Sequence, residues 1–180
     1  MRAPAGVRFA RFAPGRPRAG AQENRRWPLL LHEILTPERI RIPLAAQKKE
    51  DVLRELVDAL HEGGAVADAE AVLTAVRERE AVLTTGIGSG VGIPHGKSSQ
   101  VAELALAAGV SPTPVDFEAL DGKPCRLFFL LVGPESAAGA HVKALSRISR
   151  LVRRDDVRER LAAAATPEAF LEIVAEAESA

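Results

Sequence analysis

Arg126-Leu127-Phe128-Phe129-Leu130-Leu131-Val132 is the stretch on which the fold turns. Its Leu-Phe-Phe-Leu-Leu centre gives it strand character, and Leu104–Val110 is a second apolar run of the same kind. Between them, Ser111-Pro112-Thr113-Pro114 and Asp121-Gly122-Lys123-Pro124 read as a turn-rich connection. Downstream the chain reads as helix. Residues 139–153 put His141, Leu145, Ile148 and Val152 on one face, with Lys143, Arg147, Arg150 and Arg154 as a largely solvated basic face opposite. Asp155 or Asp156 opens a shorter helix to Ala165. Thr166-Pro167 then reads as an N-cap with proline at the first helical position, leading into Phe170, Leu171 and Val174.

Upstream, Leu29–Leu35 is a short apolar stretch ended by Thr36-Pro37, and Ile40, Ile42 and Leu44 alternate as in a half-buried strand. Gln47–His61 carries Val52, Leu53, Leu56, Val57 and Leu60 at helical spacing and is stopped by Gly63-Gly64. A second helix starts near Asp68, with Ala71, Val72, Ala75 and Val76 inward and Arg77–Glu80 at its far end. The order helix, strand, two helices, strands, three helices predicts an α/β sandwich with helices on both faces of the sheet.

The chain's 180 residues favour one domain. Its formal charge of zero is uneven: residues 1–28 carry seven arginines and one acid, Glu23, so the remainder is net acidic by about six charges. That excludes a general nucleic-acid binder. The single cysteine, Cys125, excludes an internal disulfide framework and an all-cysteine metal cluster. No run of eighteen apolar residues exists, so direct membrane insertion is not expected. Arg25-Arg26-Trp27 before Leu29-Leu30-Leu31 faintly resembles a twin-arginine signal, but His32 and Glu33 end the apolar run. Residues 1–28 are therefore expected to be a disordered basic tail, or translation from a start codon placed too early. Residues 29–180 are expected to form the domain, and the protein is expected to be cytoplasmic.

Four glycines at alternate positions mark Thr84-Thr85-Gly86-Ile87-Gly88-Ser89-Gly90-Val91-Gly92-Ile93-Pro94-His95-Gly96-Lys97. They deny a helix and weaken a strand, so something other than core packing is expected to shape this backbone. It is not a phosphate-binding loop. Before Gly96-Lys97-Ser98, Gly92 leaves three intervening residues and Gly90 leaves five, where four are needed. A dinucleotide fingerprint fails in the same way, with glycine at 90 instead of 91. What remains is a histidine after a stiffening proline, with Gly96 leaving one side of its ring open. A neutral imidazole offers one lone-pair nitrogen as a nucleophile. Arg79, Thr85 and Lys97 lie nearby in sequence, and His141 lies on an inward helix face. A guanidinium fork, a hydroxyl and a second imidazole are the donors that phosphoryl transfer requires.

Arg79-Glu80, Thr85-Gly86-Ile87-Gly88, Gly90-Val91-Gly92-Ile93-Pro94-His95-Gly96-Lys97, Phe117-x-Ala119-Leu120-Asp121-Gly122-Lys123-Pro124 and His141-x-Lys143-x-Leu145-Ser146-x-Ile148-Ser149 closely resemble the signatures of a known family. It is the phosphotransferase-system (PTS) enzyme IIA family of the fructose/mannitol and nitrogen-regulatory type, and the likeness covers about residues 29–178. The resemblance implies a three-layer α/β/α sandwich with a mixed β-sheet. It implies that His95 accepts a phosphoryl group, as tele-phosphohistidine, from an HPr-type phosphocarrier protein. It further implies that His141 stabilises that group, that Arg79 and Thr85 bind it, and that no cofactor or metal takes part. Onward partners are an enzyme IIB cysteine in sugar uptake, or regulatory target proteins in the nitrogen branch. The absence of a fused IIB or IIC unit and the Pro-His-Gly-Lys wording favour the regulatory branch. Thr84 stands where serine is common, and Val91-Gly92 where Ile-Ala is common.

His32 and His61 match no signature position and read as surface or helix-end residues. Cys125 reads as a small apolar residue at a strand start. A zinc site from His95, His141 and Cys125 lacks any short-range ligand pair.

Overall fold

The computed structural model describes residues 30–179, so the expected basic tail over 1–28 lies outside the described residues. In chain order the elements are α1 (Leu31–Ile34), β1 (Ile40–Arg41), α2 (Lys49–Glu62), α3 (Ala69–Val82), β2 (Gly86–Gly88), β3 (Val91–Gly92), β4 (His95–Lys97), β5 (Ala105–Val115), β6 (Cys125–Gly133), α4 (Ala138–Val152), α5 (Asp155–Ala162) and α6 (Pro167–Ser179). α3 begins where the Asp68 carboxylate accepts the Ala71 amide at 3.0 Å. α6 begins where the Thr166 hydroxyl accepts the Ala169 amide at 3.2 Å.

The strands form one mixed sheet, β1-β5-β6-β3-β2, and β4 also pairs with β6. β5 and β6 are antiparallel, with Ala105 opposite Val132 and Val110 opposite Leu127. β3 and β4 run parallel to β6 one after the other along its edge, and β1 is parallel to β5. In β6 the side chains alternate between two cores. Leu127, Phe129 and Leu131 join α1, α4, α5 and α6 through Ile148, Val157, Leu161, Phe170 and Val174. Phe128, Leu130 and Val132 join α2 and α3 through Leu53, Leu56, Leu60, Leu73 and Val76. The period-two alternation of a strand thus divides one apolar run between two helical layers. This is the α/β/α sandwich expected from the element order.

Glu178 joins the two ends of the described chain. Its carboxylate is 5% exposed and accepts the amides of Leu31 at 2.7 Å and His32 at 3.2 Å, and the His32 ring lies 2.8 Å away. Arg147 approaches the same group at 3.6 Å.

Three expectations are corrected. The segment Ser111–Pro114 is not a turn-rich connection: β5 runs through it to Val115. The pairing with β6 shifts between Val110 and Val115, and residues 112–114 stand exposed at that irregularity, where proline's missing N–H removes no ladder bond. The strand expected over Ile40–Leu44 is regular only at Ile40 and Arg41; Pro43 has no N–H to continue the ladder, and beyond it the Leu44 amide donates to the Val110 carbonyl of β5 at 2.9 Å. The alternate-glycine segment does form short strands, and core packing does shape it. A Cβ on Gly92 would lie 2.9 Å from the Phe128 ring and 3.2 Å from the Phe117 ring, and one on Gly86 would lie 2.7 Å from the Ala119 backbone.

Gly92→Ala is therefore expected to destabilise the fold by about 1–3 kcal/mol, because both opposing rings are fully buried. Urea denaturation of the two proteins checks this, and an unchanged midpoint would show that the rings yield freely.

Candidate functional site

The last turn of α3 carries Arg79 and Glu80, and after Val82 the chain enters the β2–β3 hairpin. Its turn takes the left-handed region at Gly88, Ser89 and Gly90, with φ of 96°, 54° and 77°. The Ser89 amide donates to the Asp121 carboxylate at 2.9 Å, which pins the tip. The Ile93 amide donates to the Thr85 carbonyl at 2.9 Å and closes the base. Pro94 follows, and β4 opens on His95, opposite Leu131 of the central strand.

His95 is half-buried. Its Nδ1 lies 2.9 Å from the carbonyl oxygen of Ile93, two residues before it. A carbonyl only accepts, so Nδ1 carries the proton and Nε2 keeps its lone pair. No side chain or backbone group among the described residues bonds to that Nε2. Burial holds the His95 pKa below its ordinary value and Arg79 lowers it further, against the Ile93 hydrogen bond and Glu80.

His141 lies on the first turn of α4 and is 3% exposed. Its ring centroid is 5.9 Å from that of His95, with the planes tilted by 59°. Burial, then the charges of His95 and Lys97, push its pKa down to about 4, with Glu135 opposing. Its Nδ1 is buried without a hydrogen-bond partner among the described residues. An orphaned lone pair is less costly than an orphaned N–H, so the proton of the neutral ring is assigned to Nε2. The two imidazoles are thus complementary: one has a free lone pair at Nε2 and the other an N–H there.

Arg79 donates to the Leu83 carbonyl at 3.0 Å and lies close enough to His95 to disfavour its protonation. Thr85 is placed differently. It is 4% exposed and its hydroxyl donates to Glu80, so it stands behind the His95 loop. The fold gathers His95, His141 and Arg79, with Thr85 one layer beneath.

Sequence reading gave no role to Glu80, quoted within the Arg79-Glu80 signature, and missed Lys49; their side chains meet at 2.9 Å. A signal for Glu80 was present: it follows Val72, Leu73 and Val76 on the buried stripe of α3, a carboxylate at an apolar position. His32 pairs with Glu178, and the ring of His61, at the end of α2, lies 2.8 Å from the carbonyl of Val66 in the following loop. Cys125 starts β6, and burial, with Asp121 and Asp116 adding, pushes its thiol up to about 11. Among the described residues no group of three or more His, Cys, Asp or Glu side chains is arranged to hold a metal ion, and no helix is long and apolar enough to cross a membrane.

Known proteins bear on this arrangement. The family described as "Phosphoenolpyruvate-dependent sugar phosphotransferase system, EIIA 2" matches residues 33–177. The chain belongs to that family. It is a PTS phosphotransfer component of the enzyme IIA type. It is 38% identical over 142 residues to the fructose-specific EIIABC component of Bacillus subtilis, covering 79% of this chain and 22% of that protein. It is 36% identical over 143 residues to a nitrogen regulatory protein of Bradyrhizobium diazoefficiens, covering 79% and 93% of the two chains. The crystal structure of the nitrogen regulatory protein IIA-Ntr from Neisseria meningitidis superposes with a TM-score of 0.75 at 31% identity, over 79% of this chain and 97% of that one. The EIIA relatives thus divide between sugar-transport and nitrogen-regulatory members.

The depressed His141 pKa sets a pH dependence. An unfolded histidine titrates near 6.5, so between pH 6.5 and about 4 the unfolded chain binds a proton that folded His141 refuses. Stability present above pH 6.5 is expected to fall as pH is lowered towards 4, by an amount on the order of 3 kcal/mol. The depressed His95 acts in the same direction. Urea unfolding at pH 7 and pH 5 measures this, and His141→Asn is expected to remove its share. A His141 ring signal that titrates near pH 6.5 by NMR would contradict the assignment.

Proposed function

We propose that His95 Nε2 accepts a phosphoryl group from the phosphohistidine of an HPr-type phosphocarrier. The observation that carries this reading is the Nδ1 hydrogen bond to the Ile93 carbonyl, which leaves Nε2 as the nucleophile. In the transfer the Nε2–P bond forms while the P–N bond of the carrier breaks, and its electron pair returns to the carrier's ring. His95 then bears a positive charge, and the Ile93 carbonyl is already aligned on the Nδ1 proton to stabilise it. His141 Nε2–H and the Arg79 guanidinium donate to the phosphoryl oxygens. Thr85 contributes by holding the loop from beneath, since its hydroxyl is engaged by Glu80.

A protein partner suits the surroundings. Val82 and Leu83 follow Arg79, Ile87 sits on the hairpin, Leu120 packs its backbone on Gly86, and Val142 follows His141; all five are exposed. Exposed apolar side chains on the segments that follow Arg79 and His141 match a docking face for the carrier. We further propose that the domain comprises residues 29–180, that it works in the cytoplasm without a cofactor or metal, and that it signals through its phosphorylation state as a nitrogen-regulatory type. The Bradyrhizobium and Neisseria relatives, each matched over nearly their whole length, support the regulatory assignment. The Bacillus relative, the most identical of the three, supports the alternative, in which the phosphoryl group passes to an enzyme IIB cysteine during fructose/mannitol-type uptake.

Incubation with phosphorylated carrier is expected to label the protein with acid-labile phosphate, and His95→Ala to abolish the label; persistent labelling of that variant removes the assignment. For His141→Ala, acceptance is expected to persist while onward transfer falls at least about tenfold. Unchanged transfer to a supplied IIB would leave His141 without a role.

A further inference from the structure

Glu80 is a carboxylate that the transfer itself does not use, yet it is one of the most heavily bonded side chains in the domain. It is 8% exposed. Its two oxygens accept the Thr85 amide at 3.0 and 3.1 Å, and it also accepts the Thr85 hydroxyl. Lys49 of α2 approaches it at 2.9 Å, reaches Glu118 at 2.5 Å and lies 5.2 Å above the Phe117 ring. Desolvation opposes charge on both partners. The hydrogen bonds outweigh it, holding Glu80 below and Lys49 above their ordinary pKa values. The pair is therefore ionic, and a shielded ion pair is weak support for stability alone.

Its connections lead to the acceptor. Glu80 holds Thr85; the Thr85 carbonyl accepts the Ile93 amide at 2.9 Å; the Ile93 carbonyl accepts His95 Nδ1 at 2.9 Å. The same helix turn carries Arg79 beside Glu80. One ion pair and three successive hydrogen-bonded steps thus run from a cation on α2 to the nitrogen that decides which face of the imidazole is nucleophilic.

We propose that Glu80, held by Lys49, is a positioning residue for phosphoryl acceptance: it fixes the Thr85–Ile93 bridge and so keeps the His95 proton on Nδ1 and the lone pair on Nε2. The proposal rests on the reading of His95 as the acceptor. Loss of the carboxylate frees Thr85, lets the Ile93 carbonyl drift, and allows the ring to populate both tautomers.

The test uses the full chain with Glu80→Gln, which keeps shape and removes charge, and Lys49→Met, at a partly exposed position that tolerates an apolar stem. Initial rates of acceptance are measured against the concentration of phosphorylated HPr-type carrier, and the His95 ring nitrogens are read by 15N NMR without carrier. The maximal rate is expected to fall at least about tenfold in Glu80→Gln, with KM for the carrier changed less than about twofold. The wild-type ring should show one tautomer and the variant a mixture, with part of its phosphate on Nδ1. Lys49→Met should move the same readouts in the same direction, and Lys49→Arg should restore them. If Glu80→Gln does not fold, Lys49→Met decides. A folded variant with a single Nδ1–H tautomer and the wild-type rate overturns the proposal, as does a change confined to KM. Failure of the wild-type chain to take the phosphoryl group would instead overturn the acceptor reading, because the tautomer measurement needs no carrier.

Discussion

Burial of β6 on both faces is the constraint from which the other features follow. Only Arg126 of Cys125–Gly133 reaches solvent, so the strand exists only where a helical layer covers each side. Its antiparallel partner β5 fills one edge, and two short parallel strands share the other. The break between those two is where Ile93-Pro94 crosses, and the first residue beyond it is His95. Four residues separate the end of β6 from the start of α4, which lays His141 against the same end of the sheet. The two histidines, 46 positions apart in the sequence, are neighbours because one strand positions both.

Electrostatics at that junction favours neutral rings. Burial and nearby Arg79 disfavour the imidazolium at His95, and burial does so more strongly at His141. A neutral pair is what a nucleophile and a hydrogen-bond donor require, whereas two cations so close would repel each other and abolish the lone pair. The dry packing that stabilises the sandwich is thus also what sets the protonation states.

Features that depend on local spacing were legible in the sequence. The stripes of α2 and α4, the inward position of His141, the Asp68 and Thr166 caps and the apolar run of β6 follow from periodicity and turn chemistry within a few residues. Features that depend on distant partners were not. The prolines at 112 and 114 announce a turn, yet β5 continues through them because Cys125 pairs with Val115 beyond the irregularity. Alternate glycines at 86 and 92 looked like release from packing, but Ala119, Phe117 and Phe128 exclude any larger residue there. The same holds within the site: the hydrogen bond that orients His95 lies within Ile93-Pro94-His95, while the Lys49–Glu80 contact that stands behind it joins two helices and leaves no local pattern.

The Glu178 clasp carries a consequence of another kind. By gripping the amides of residues 31 and 32 from the last helix, it brings the point where the described chain enters the domain beside the point where it leaves. A unit whose entrance and exit share one corner behaves topologically like a loop. It can hang from a linker or sit between other modules of a longer polypeptide without its sheet being stretched, and His95 stays on a body that swings as a whole.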